Sequence, residues 1–122
     1  RAGITPMRCR YKERMTEMEL AKQPEVLKLT RPIYINGEEV GEIAYDFEAL
    51  TAADKLSVTP EMLQLGFQMG SIEEYDSNYH FFLFAKAAER ASGGKVTAAD
   101  LLRLSARDCA AAGRLAKSFF FL

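Results

Sequence analysis

The dipeptide Asn36-Gly37, set between the β-rich runs "EVLKLTRPIYI" and "EEVGEIAYDF", constrains this chain more than any other feature. Asn and Gly tolerate positive φ best, so this pair between alternating apolar residues is the strongest short-range hairpin signal. It predicts an antiparallel β-hairpin over residues 26–47. Parity then bears on the turn. With strict alternation, a two-residue turn pairs Ile35 with Glu38 and sets Leu27, Leu29 and Ile33 on the opposite face from Ile43, Tyr45 and Phe47. A three-residue loop, with Gly37 left-handed as a bulge, brings those six to one face and is the reading the pattern favours. Tyr34 and Val40 then fall on the face away from the core. Pro32 cannot donate to a ladder, so its strand should be an edge strand or be bulged there.

Beyond the hairpin the pattern turns helical, which makes the expected fold class α+β: an N-terminal hairpin, then a small bundle of about four helices near residues 51–58, 60–69, 72–91 and 97–121. Thr51 in "LTAADKL" and Thr97 in "VTAADLL" are N-cap residues, with Asp54 and Asp100 in first turns where a negative charge suits the helix dipole. The sequences flanking these two stretches do not match, so they read as similar helix starts rather than a repeat. Thr59 before Pro60 suggests a further cap, and Ser71 with Glu74 a capping box for the longest helix, which Ser92-Gly93-Gly94 ends. Ser105, with Asp108 in the first turn, opens the last helix.

At 122 residues the chain suits one domain, residues 25–122, preceded by a basic arm over residues 1–24. The arm carries six Lys/Arg against three Glu, the remainder ten against fourteen Asp/Glu. An acidic body argues against a dominant nucleic-acid surface, which neutralises phosphates with Lys and Arg. Met15 opens a stretch that reads as a protein start, so residues 1–14 are read as upstream material. Cys9 and Cys109 follow no secretory leader and read as free thiols in a reducing, cytoplasmic compartment. The apolar run "FFLFA" is too short to span a membrane.

Little here suggests chemistry. The one histidine, His80 in "YHFFLF", reads as a packed helical residue, and the pairs Glu38-Glu39 and Glu73-Glu74 are explained by a turn and a helix start. The glycines lack the spacing of a phosphate-binding loop. No catalytic residue, cofactor or metal ligand is expected. Surface for partners is the stronger signal. In "IEEYDSNYHFFLFAKAAERA" helical spacing aligns Ile72, Tyr75, Tyr79, Phe82 and Leu83, while Phe81, Phe84 and Ala85 carry apolarity around the helix. One core face does not hold them all, so Phe81 and Phe84 are candidate partner contacts. In the last helix Ala106, Cys109, Ala112, Gly113 and Ala116 form a small-residue stripe suited to close approach of a helix, from this chain or another. Phe119, Phe120 and Phe121 point about 100° apart and complete the partner set, with Tyr34 and Val40 as weaker members.

The stretch "LKLTRPIYINGEEVGEIAYDFEALTAADKL" (residues 27–56), followed by a small helical region, resembles the tail assembly chaperones of long-tailed bacteriophages and prophages. Their pattern opens with a hairpin that carries Pro-Ile shortly before an [ND]-Gly turn and passes through a second strand to an LT-x-x-D helix start. The resemblance implies a non-enzymatic, cytoplasmic assembly factor that binds the hydrophobic tape measure protein, keeps it soluble and helps recruit tail tube protein, with a homo-oligomer as the resting form. In many such phages a programmed frameshift also yields a longer product, and "SFFFL" is the kind of sequence a U-rich slippery site encodes. Two other classes stay open: a structural virion component that forms a ring, such as a head-tail joining or tail protein, and a small regulatory module whose basic arm touches nucleic acid.

Overall fold

The computed structural model describes residues 25–122. The arm, Cys9 and the proposed start at Met15 lie outside the described residues. The chain is α+β: strand β1 (Glu25–Ile35) pairs antiparallel with β2 (Glu38–Tyr45), and helices α1 (Ala52–Leu56), α2 (Val58–Gln64), α3 (Ser77–Ala91), α4 (Ala98–Leu101) and α5 (Ala106–Phe121) follow.

The hairpin turn differs from expectation. Ile35 pairs directly with Glu38, and Asn36 and Gly37 both have positive φ, 53° and 82°, so this is a two-residue turn of type I′. Yet Ile33, Ile43, Tyr45 and Phe47 are all buried, and Leu27 and Leu29 pack beside them. A bulge in β1 resolves the conflict. Residues 25–28 pair with Tyr45 to Glu42 and residues 33–35 with Val40 to Glu38, which leaves Leu29 to Pro32 opposite Gly41 alone. The odd excess of residues resets parity. Pro32 sits in the bulge, where no ladder bond is required of it. Val40 is a second correction: its partner is the buried Ile33, so it shares the core side and is partly buried. Tyr34 is 60% exposed, as expected.

The bulge frees backbone donors, and a carboxylate from the far end of the chain takes them. Thr30 N–H donates to Oδ1 and Oδ2 of Asp108 at 2.9 and 3.1 Å, and Arg31 N–H to Oδ2 at 3.3 Å. Asp108 is 1% exposed and lies in the first turn of α5, whose N-cap Ser105 accepts its N–H. Burial pushes the Asp108 carboxyl upward, but the Thr30, Ser105 and Arg31 hydrogen bonds outweigh it and hold the group below the usual carboxylate range. Its backbone is capped by Ser105 while its side chain pins the hairpin to the first turn of α5.

Both Thr–Asp helix starts form full capping boxes, Thr51 with Asp54 and Thr97 with Asp100. The other starts shift. Val58, not Pro60, opens α2, after Ser57, and Pro60 stands third, where its missing N–H costs no helical bond. The helix expected at 72–91 begins at Ser77: its N-cap is Asp76, which accepts from the N–H of Tyr79 and of Gly70, and Ser71 makes no cap. Residues 73–75 are only a 3-10 turn, which leaves Ile72 and Tyr75 exposed. The expected helix 97–121 is two helices, α4 and α5, with Arg103 and Leu104 in the link between them.

α3 is the centre of the molecule, buried from Tyr79 through Ala88. The hairpin covers one side, where Tyr45, Phe47 and Phe84 cluster at centroid separations of 5.0 to 6.3 Å. The backbone of Asp46 donates to the Ala87 carbonyl and fixes the hairpin's exit there. α2 covers a second side, and the largely buried Lys86 reaches Glu61 at 2.6 Å across that contact. α5 packs along a third side through Ala112 and Ala116, both fully buried.

Candidate functional site

The apolar girdle of α3 is accounted for inside the chain. Phe84 is fully buried and Phe81 is 5% exposed, so neither offers surface to a partner as the sequence suggested. Their burial follows from the central place of α3, wrapped by the hairpin, α2 and α5 rather than by one core face. The three terminal phenylalanines do diverge. Phe119 stacks on Phe47 at 5.1 Å, Phe120 meets the same ring edge-on at 5.5 Å, and Phe121 lies 5.4 Å from the His80 ring. Phe119 remains 44% exposed and Leu122 86%, so this end carries an accessible apolar edge.

A concavity lies elsewhere, a groove of about 700 Å³ bounded by α3, α4 and α5. Phe81 and Phe82 from α3 and Leu101, Leu102 and Leu104 from the α4 region form its apolar walls. α5 supplies a lining of small residues, Ala106, Cys109, Ala110 and Gly113. The small-residue stripe thus divides in two. Its inner edge, Ala112 and Ala116, lets α5 approach α3, and its outer edge opens into the groove. At Gly113 a β-carbon would stand 3.9 Å from the His80 β-carbon, which measures how closely the two helices pass.

His80 also lines the groove. It is 4% exposed, and its Nε2 has no hydrogen-bond partner among the described residues. Buried polar atoms are nearly always paired, which makes this one notable. Arg114 and Lys117, one turn apart on α5, stand along the same groove, and Lys117 lies 5.8 Å from the centre of the exposed Tyr75 ring. No acidic side chain lines the groove, and neither cation makes a salt bridge to a carboxylate among the described residues. Burial pushes the Cys109 thiol up, which keeps it protonated and a poor nucleophile.

The site therefore suits binding: apolar walls, a small-residue lining and a basic edge. Among the described residues no group of three or more His, Cys, Asp or Glu could hold a metal ion, and no helix is long and apolar enough to cross a membrane. Of the residues singled out in the sequence, the structure brings Phe81 to this groove and Phe119 to Phe121 to a neighbouring edge, and it leaves Tyr34 alone on the outer face of the hairpin. The sequence reading missed Leu101, Leu104, Arg114 and Lys117. The stripe read from the sequence shared Ala106, Cys109 and Gly113 with this groove, but Ala110 and Lys117, which also line it, were not part of that stripe. Compared with protein-family models, curated proteins and solved structures, the chain matches none.

Proposed function

We propose that this chain is a non-enzymatic assembly chaperone of the phage tail type, which holds apolar segments of a tape measure protein in solution during tail assembly. The observation that carries the reading is the groove of about 700 Å³ with apolar walls and a basic edge. The hairpin and helix start in "LTRPIYINGEEVGEIAYDFEALTAAD" add the resemblance described above, and the described helices and strands match the expected α+β layout. Binding buries apolar surface at about 25 cal/mol per Å², so release needs no chemistry, only competition from the growing tail. The exposed Phe119 and Leu122 favour self-association as a way to cover the second apolar edge when no client is present. Tail tube protein is the second proposed partner, and the bacterial host cytoplasm the proposed location.

Co-expression with the tape measure protein of the same genome tests this. The client should become soluble and co-purify with the chain. A client that aggregates regardless, while the chain is retained in finished particles, points instead to a structural ring component.

A further inference from the structure

We infer that the groove between α3, α4 and α5 receives an amphipathic helix of a client, one whose apolar stripe is flanked by Asp or Glu. This deepens the chaperone reading and rests on it.

Three observations lead to this occupant. The α5 residues along the groove, Ala106, Ala110, Gly113 and Lys117, follow one another at intervals of four, three and four, which keeps them on one face over about three turns. A straight row of small side chains lets a second helix come within the 8–10 Å of ordinary helix packing, and such grooves are read by apolar anchors at i, i+3, i+4 and i+7. On the wall opposite, the exposed Leu102 and Tyr75, backed by the buried Phe81, Leu101 and Leu104, suit those anchors. Second, the edge is of one sign: Arg114 and Lys117 are present, no carboxylate lines the groove, and a guest with flanking Asp or Glu supplies the complement. Third, the Nε2 of His80 is a polar atom without a partner in an otherwise apolar wall, and a guest oxygen or amide gives it one.

The test uses the full chain and two fluorescent 18-residue helical peptides with the same leucine stripe, flanked by Glu in one and by Lys in the other. The Glu-flanked peptide should bind with at least tenfold lower Kd, and raised salt should narrow the gap. Arg114→Glu combined with Lys117→Glu should reverse the order of the two peptides. Ala110→Trp, a change at an exposed position of α5, should abolish binding of both while circular dichroism stays that of the wild type. Equal binding of the two peptides, or indifference to these substitutions, overturns the proposal. So does a second copy as the occupant, seen as peptide exclusion by an oligomer that Ala110→Trp converts to monomer. The same variants in the tape measure co-expression separate the two claims. Loss of co-purification in the charge-reversed chain supports both. Retained co-purification overturns the groove proposal and leaves the chaperone reading intact. Peptide binding without any co-purification by the wild type retains the groove and removes the chaperone.

Discussion

Replacing Asp108 by alanine should do more damage than any other single polar substitution. Its carboxylate accepts two backbone N–H groups from the β1 bulge, at distances of 2.9 to 3.3 Å, from a position 1% exposed. Hydrogen bonds to a charged group contribute roughly 1.5–3 kcal/mol each. Thr30 and Arg31 are exposed enough for water to take their N–H groups once the carboxylate is gone, which halves that figure. Loss of the charge in the first turn of α5 adds up to about 1 kcal/mol. The sum is about 3 kcal/mol, to be read from urea unfolding at pH 7. Asp108→Asn keeps an accepting oxygen and should cost about half as much. The pH dependence has a definite sign. A carboxyl held below its ordinary value in the folded state contributes stability that is complete above the unfolded pKa, about 3.9, and is lost as pH falls through the lower folded value. The gap between wild type and Asp108→Asn should therefore shrink below about pH 4. A cost under 1 kcal/mol for Asp108→Ala, or a gap that does not change with pH, would refute the claim that this carboxylate pins the hairpin to α5.

Other substitutions separate core from surface. Phe84→Ala, at a fully buried ring within the aromatic cluster, should cost about 3–5 kcal/mol in urea unfolding and is unsuitable for testing client contact. Phe119→Ser, at a ring 44% exposed, should cost far less and should lower self-association in sedimentation velocity; an unchanged sedimentation profile would remove this edge from the oligomer contact. Gly37→Ala forces a β-carbon into φ +82° and should destabilise by about 1–2 kcal/mol, although nothing lies within 4 Å of the added atom. Lys86→Met alone leaves Glu61 and Glu89 without their shared ammonium and should destabilise in the same assay, whereas Lys86→Met combined with Glu61→Gln should recover most of that loss, since desolvation offsets most of the pair's attraction.

Much of the fold was legible because local chemistry decided it. Asn36-Gly37 needs positive φ and obtained it, and the two Thr–Asp starts close capping boxes that three residues suffice to write. What escaped was decided at long range. The parity of the hairpin was resolved correctly at six apolar positions but assigned to the loop, because a bulge at Leu29 to Pro32 depends on Asp108, nearly eighty residues away, to satisfy its donors. Ser71 was read as the cap of the helix at 72–91, but Asp76 takes that role and also accepts from the Gly70 N–H, a contact that local sequence does not show. Phe81 and Phe84 were misread as excess because a helix wrapped on three sides has no outer face to spare over residues 79–88. The groove needed the break between α4 and α5 to be seen, since Leu101 and Leu104 reach its wall only once that segment folds back.

The central claim, that this chain shields an apolar client, is tested most directly by diluting urea-unfolded tape measure protein into buffer and following light scattering. With this chain present, scattering should be suppressed in proportion to its concentration and reach a plateau at a fixed ratio of chain to client. Scattering that rises equally with and without the chain would contradict the account.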